Sequence, residues 1–152
     1  TMRFAEVFLR LGCALVAWMV TFAYIVWLAA LHAMGCGPDG DEIYRLLLGM
    51  APAAALMALL LRATHPFHEI HRMLSWLAVP LALLLPFALR NVWHVLETVN
   101  LNGEAICATA EPPGWQQIWA PVQFFAMLVI VALVISVWRN ARRPPANASP
   151  SP

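Results

Sequence analysis

The sequence has few charged residues and contains no lysine. Charged side chains make up 11% of the 152 residues, and all nine basic residues are arginine. Soluble domains carry roughly 25% charged residues. We find no basic stripe with interleaved aromatic residues, no glycine-rich phosphate loop and no Ser-His-Asp arrangement. The composition therefore argues against a soluble domain and gives no indication of nucleic-acid binding.

Cysteine is also scarce. The three cysteines are spaced as neither a zinc site nor a disulfide framework, and there is no C-x-x-C pair. Thiol-oxidase chemistry needs a second thiol for exchange, so the sequence does not predict it. Cys13 lies within an apolar run and is predicted to be a small core residue.

Four long apolar runs dominate the chain instead. Each is long enough to cross a hydrocarbon core of roughly 30 Å at about 1.5 Å per residue. The sequence predicts an all-α integral membrane protein, with residues 1–139 folded as a four-helix bundle and residues 140–152 as a disordered tail. Pro80 and Pro86 are expected to kink the third helix. The predicted spans are residues 9–33, 43–62, 72–97 and 116–138.

The placement of arginine predicts the orientation of the bundle. Arg45 and Arg90 lie on one side of the membrane, whereas the other seven arginines lie on the opposite side. Because cytoplasmic segments retain an excess of basic residues, both termini are expected in the cytoplasm of a bacterial-type inner membrane. A cleaved signal peptide is the competing interpretation of the first span, but that run is longer than an ordinary signal sequence. The seven are Arg3, Arg10, Arg62, Arg72, Arg139, Arg142 and Arg143.

Cys36 and Cys107 fall on the two exported loops of this topology, one in each. An oxidising compartment favours a disulfide between them, which would tie the first hairpin to the second. The alternative is two free thiols that do not meet.

A group of ionisable residues is expected near the exported surface. Arg90, His94 and Glu97 lie at i, i+4 and i+7 of the third helix and share one face. His32 ends the first span and Arg45 begins the second. Ionisable groups at membrane depth usually face protein or water, so these residues form the main candidate site.

Three roles are open for this group. In the first, Arg45 and Arg90 pair with Glu42 and Glu97 and join helix ends. In the second, His32 and His94 are axial ligands of a haem b whose propionates the arginines neutralise. In the third, the arginines bind a quinone, an anionic lipid head group or another anionic ligand.

Two further features are weaker. His65, His68 and His71 form H-x-x-H-x-x-H, a weak candidate for a transition metal, because residues i and i+6 diverge by about 120° around a helix. The alternative is a set of interfacial histidines near anionic lipid. Gln123, within the fourth span, is expected to hydrogen-bond across helices.

Little of the chain lies outside the predicted spans, which leaves little room for independent catalysis. The sequence therefore predicts a non-catalytic accessory, scaffold or assembly subunit of a larger membrane complex, such as a respiratory one. The expected partners are the lipid bilayer and other membrane subunits. A small haem or quinone redox subunit and an anionic lipid- or ligand-binding protein are the alternatives.

Overall fold

The computed structural model describes four helices and part of the loop before the last one. The helices are α1 (Met2–Met34), α2 (Gly40–Ala63), α3 (His68–Val95) and α4 (Gly114–Ala141), and a π-helical segment (Leu96–Leu101) continues α3. The described residues are 2–34, 40–63, 68–107 and 114–142; side chains are described for 4–31, 41–62, 75–107, 114–140 and 142. The predicted disulfide cysteine Cys36 and His65 lie outside these residues, as does the predicted tail from residue 143 onward.

The prediction of a helical membrane protein is confirmed. Four helices are long and apolar enough to cross a membrane, over Phe4–Leu31, Asp41–Arg62, Ser75–Leu101 and Gly114–Asn140. The described residues contain no β-strand. Large apolar side chains such as Phe8, Leu83, Phe125 and Leu128 lie on the outside of the bundle, as expected where the surrounding solvent is lipid.

The four helices form a ring in the order α1, α2, α4, α3. α1 and α4 each pack against both α2 and α3, so α1 and α4 lie on one diagonal and α2 and α3 on the other. α1 and α3 run in one direction and α2 and α4 in the other. We call the end at which α1 stops and α2 and α4 begin the upper end, and the opposite end the lower end.

Small residues line the inner face of α2. Ala51, Ala54, Ala55 and Ala58 are buried at i, i+3, i+4 and i+7, so the backbone of α2 can approach its neighbours closely. Close backbone approach matters in lipid because apolar side chains gain no water exclusion from packing together. Ala53, on the outer face, is exposed.

The prolines lie within helices that continue past them. Pro80 and Pro86 lie inside α3, and the kink expected there stays a prediction. The regular α-helical hydrogen-bond pattern of this part of the chain changes at the π-helical segment, Leu96–Leu101. Gly103, with φ +70°, follows this segment, and the Glu104 amide donates to the Thr98 carbonyl at 2.9 Å. A positive φ is a conformation that glycine adopts without steric penalty.

The inner face of α2 gives a test of the packing. We expect Ala54→Leu to destabilise the bundle by about 1–3 kcal/mol, because extra carbons in a close-packed interior force its neighbours apart. Thermal unfolding in mild detergent measures the effect. The control is Ala53→Leu, which adds the same atoms to the exposed side of the same helix and should leave the midpoint unchanged. Equal midpoints for the two variants would contradict this packing.

Candidate functional site

Uncharged polar side chains occupy the interior of the upper half of the bundle. Gln116, Trp119 and Gln123 follow one another along one face of α4, and all three are fully buried. Their spacing of three and four residues is that of a single helical face. Thr21 and Tyr24 of α1 are also fully buried. Polar groups in lipid need hydrogen-bond partners within the protein. The partners of these residues therefore show which helices are held together.

A hydrogen bond crosses the centre of the bundle. The Tyr24 hydroxyl donates to Oε1 of Gln123. Since α1 and α4 lie on a diagonal, this bond joins two helices that are not neighbours in the ring. Thr21, one turn below Tyr24, donates its hydroxyl to the Ala17 carbonyl of its own helix at 2.8 Å. The expected interhelical role of Gln123 is therefore confirmed, and Tyr24 is its partner.

Trp119 connects α4 to α2. Its Nε1 donates to the Tyr44 carbonyl oxygen at 2.8 Å. The Tyr44 and Trp119 rings also meet edge to face, with centroids 5.3 Å apart and planes inclined by 61°. This arrangement is favourable for aromatic pairs beyond the area that they bury. Tryptophans near span ends commonly lie at the membrane interface, but Trp119 is buried and joins two helices.

Two asparagines complete the connections between helices. Asn91 of α3 donates from Nδ2 to the Leu28 and Ala29 carbonyl oxygens of α1, at 2.9 and 3.0 Å. Asn100, in the π-helical segment, donates to the Gln117 carbonyl of α4 at 3.0 Å. Side-chain amides therefore bind helix backbones on both sides of α3.

Four buried donors have no hydrogen-bond acceptor among the described residues: Nε2 of Gln116 and Gln123, and Nε1 of Trp18 and Trp115. Oε1 of Gln116 accepts a hydrogen bond from the Ile106 amide at 3.4 Å, so only its amino group is left over. A buried donor without an acceptor costs about 1–3 kcal/mol. Such donors are suited to an acceptor oxygen, from water or from a bound carbonyl group.

Arg45 has a different ion-pair partner from the expected one. Its Nη2 lies 3.3 Å from Oδ2 of Asp41, four residues earlier in α2, and its guanidinium carbon lies 5.4 Å from the centroid of the Trp115 ring. The predicted pairing with Glu42 is therefore wrong. The i, i+4 arrangement places Asp41 one turn from Arg45 on the same face of α2, toward the upper end, and the guanidinium also contacts an aromatic ring of α4.

Arg90, His94 and Glu97 share a face, as predicted, but this face is exposed. It continues an outward stripe of α3 that we call the α3 stripe, whose apolar members are Trp76, Val79, Leu83 and Phe87. Arg90 forms no ion pair with any other described residue. The predicted Arg90–Glu97 pair is absent from this part of the chain, because two helical turns separate the residues by about 10 Å.

The haem hypothesis gains no support from His94. Val92 and Val95 occupy the buried positions of this turn, whereas His94 is exposed. Axial ligands within a bundle project inward. His32 lies within α1, about level with His94 because Asn91 binds Leu28 and Ala29, but its side chain lies outside the described residues. The geometry of His94 therefore does not favour a haem in the interior.

The remaining candidates are described only in part. His68 and His71 lie in the first turn of α3, and their side chains lie outside the described residues. Over the part of the chain that the structure describes, no group of three metal-binding side chains comes together. Cys13 is a free thiol and is exposed, not a core residue as predicted. Cys107 is half-buried and is not a free thiol.

No protein-family model matches this chain, and no curated protein or solved structure matches it either. The residues that the sequence analysis missed are neutral: Tyr24, Asn91 and Gln116. A signal was available for Asn91, since an amide within an apolar span seldom faces lipid. Gln116 begins the fourth predicted span, where interfacial residues are common, so nothing in the sequence separated it from a membrane boundary. Tyr24 lies nine residues before the end of the first predicted span, so its hydroxyl gave the same signal as the Asn91 amide.

The bond between Tyr24 and Gln123 can be measured by a double-mutant cycle. We expect Tyr24→Phe and Gln123→Leu to couple by about 0.6 kcal/mol and by no more than about 1.7 kcal/mol, the range for hydrogen bonds between membrane helices. Unfolding free energies of the reconstituted protein give the coupling. The matched control replaces Gln117, an exposed glutamine of the same helix, by Leu, and should show no coupling to Tyr24→Phe. Coupling of equal size in both cycles would refute the contact.

Proposed function

We propose that this protein is a non-catalytic accessory or scaffold subunit of a larger membrane complex. In this proposal it lies in a bacterial-type inner membrane with both termini in the cytoplasm, as the distribution of arginine indicates. The observation that carries the proposal is the upper half of the α3 stripe, where Arg90 and His94 are exposed on a helix that is apolar enough to span the bilayer.

The depth of Arg90 is the first argument. Asn91 binds the carbonyl oxygens of Leu28 and Ala29, and α1 remains helical to Met34. At about 1.5 Å per residue, Arg90 therefore attaches to the backbone about 8 Å below the end of α1. An arginine at such a depth is costly in lipid unless it reaches the interface or meets a partner group.

The composition of the surrounding surface is the second argument. Leu83 and Phe87 are exposed immediately below Arg90, and His94 and Glu97 immediately above it. This stripe is one helix wide, apolar toward the membrane centre and polar toward its edge. A transmembrane helix with an acidic or carbonyl group at the depth of Arg90 would complement it, and Arg90 has no partner of its own among the described side chains.

The interior supports a structural role. Tyr24 binds Gln123 across the bundle, Trp119 binds the backbone of α2, and Asn91 binds the backbone of α1. These contacts hold the four helices as one unit. A unit of this kind can present a surface of fixed shape to another subunit.

A co-purification experiment tests the proposal. Extracted from its native membrane in mild detergent, the tagged protein is expected to migrate with at least one other membrane protein. Arg90→Gln should lower the recovered partner severalfold, because it removes the charge at the centre of the proposed contact. Arg45→Gln is the matched control, since Arg45 already pairs with Asp41 in its own helix. Migration of the wild-type chain as a lone monomer, or full retention of the partner by Arg90→Gln, would overturn the proposal.

We also propose a disulfide between Cys36 and Cys107, on the exported side. Without reductant, a maleimide reagent added to the unfolded protein should label one of the three cysteines, Cys13, and after reduction all three. Cys36→Ser should raise the unreduced labelling to two sites, because it releases Cys107. Labelling of all three thiols without reductant would exclude the bond.

A further inference from the structure

We propose that the lower end of the bundle binds one anionic phospholipid in a groove between α3 and α4. The head-group phosphate would lie at Arg142, and the first part of an acyl chain would lie along Trp76, Val79 and Trp138. This proposal does not depend on the accessory role, since it concerns the opposite end of the molecule from Arg90.

The groove has a volume of about 300 Å³ and is lined by Ser75, Trp76, Val79, Trp138 and Arg142. Ser75 and Val79 lie one turn apart on α3. Trp138 and Arg142 are likewise four residues apart, and the Arg142 amide donates to the Trp138 carbonyl at 3.3 Å. Each helix therefore contributes an apolar group toward the membrane and a polar group at its edge.

The lining combines a cation with apolar side chains, which suits an anion that carries an apolar chain. An arginine guanidinium presents five donors in a planar fork that matches phosphate oxygens. Indole rings are favoured at the boundary between lipid tails and head groups. Arg142 is exposed and forms no ion pair within the described part of the chain, so its charge is available to a ligand. Apolar walls on the membrane side of the cation favour a lipid phosphate over a free phosphate, because only the lipid has an acyl chain to place against them.

A second groove at the same end gives a contrast within the molecule. It lies between α1 and α2, has a volume of about 610 Å³, and is lined by apolar side chains such as Phe8, Val16 and Leu60 together with Arg10. Arg10 already pairs with Glu6 in its own helix. This groove can hold acyl chains, but its cation is neutralised, so we assign the selective site to the groove between α3 and α4.

Quenching of tryptophan fluorescence by brominated lipid tests the assignment. The full chain is reconstituted in phosphatidylcholine vesicles that contain a small fraction of phosphatidylglycerol or phosphatidylcholine with brominated acyl chains. We expect more quenching by the anionic lipid than by the zwitterionic one. The Trp76→Phe/Trp138→Phe double variant should abolish this difference while the other tryptophans still fluoresce.

The role of Arg142 is tested with a matched variant. Arg142→Gln should lower the affinity for phosphatidylglycerol relative to phosphatidylcholine about fivefold, the effect of one basic residue near a membrane surface. Arg139→Gln removes the same charge from an exposed position of the same helix end, outside the groove lining, and should leave the preference unchanged. Equal losses in the two variants would indicate diffuse attraction and overturn the proposal, as would the absence of any anionic preference in the wild-type protein. Circular dichroism confirms that each variant is folded.

Discussion

The hydrogen bond between Tyr24 and Gln123 is the interaction on which the upper half of the bundle depends. It joins α1 and α4, which lie on a diagonal and share few other contacts. In lipid, apolar side chains gain nothing by leaving water, so helices associate through close packing and interhelical hydrogen bonds. The alanines of α2 provide the close packing, and Gln123 and Trp119 provide hydrogen bonds from α4 to α1 and α2.

Neutral and charged polar residues are separated in this fold. The buried polar side chains Thr21, Gln116 and Gln123 are uncharged, whereas the arginines with described side chains lie on the surface. Burying an unpaired charge would cost far more than burying an amide or hydroxyl that has a hydrogen bond. The described arginine side chains are therefore directed outward, away from the interior of the bundle. The surface that we propose for a partner subunit and the groove that we propose for a phospholipid lie at opposite ends of α3.

Prediction from the sequence succeeded where one property acts along a single helix. Apolar runs revealed the four helices, and helical spacing placed Arg90, His94 and Glu97 on one face. It failed where a partner had to be chosen between helices. Arg45 pairs with Asp41 and not with Glu42, and the Arg90 face turned out to be exposed. Helical periodicity states which residues share a face, but it does not state whether that face is directed to the interior or to lipid.

The sequence by itself determined that this chain forms apolar helices of membrane-spanning length, because hydropathy and helix rise are local properties. Only the tertiary structure decided the order of the helices around the ring. That order places Tyr24 opposite Gln123 and Asn91 against α1, and it leaves Arg90 on the outside. The physical reason is that a polar group in lipid is stabilised only by a partner at its own depth, and the partner comes from packing between segments distant in the chain.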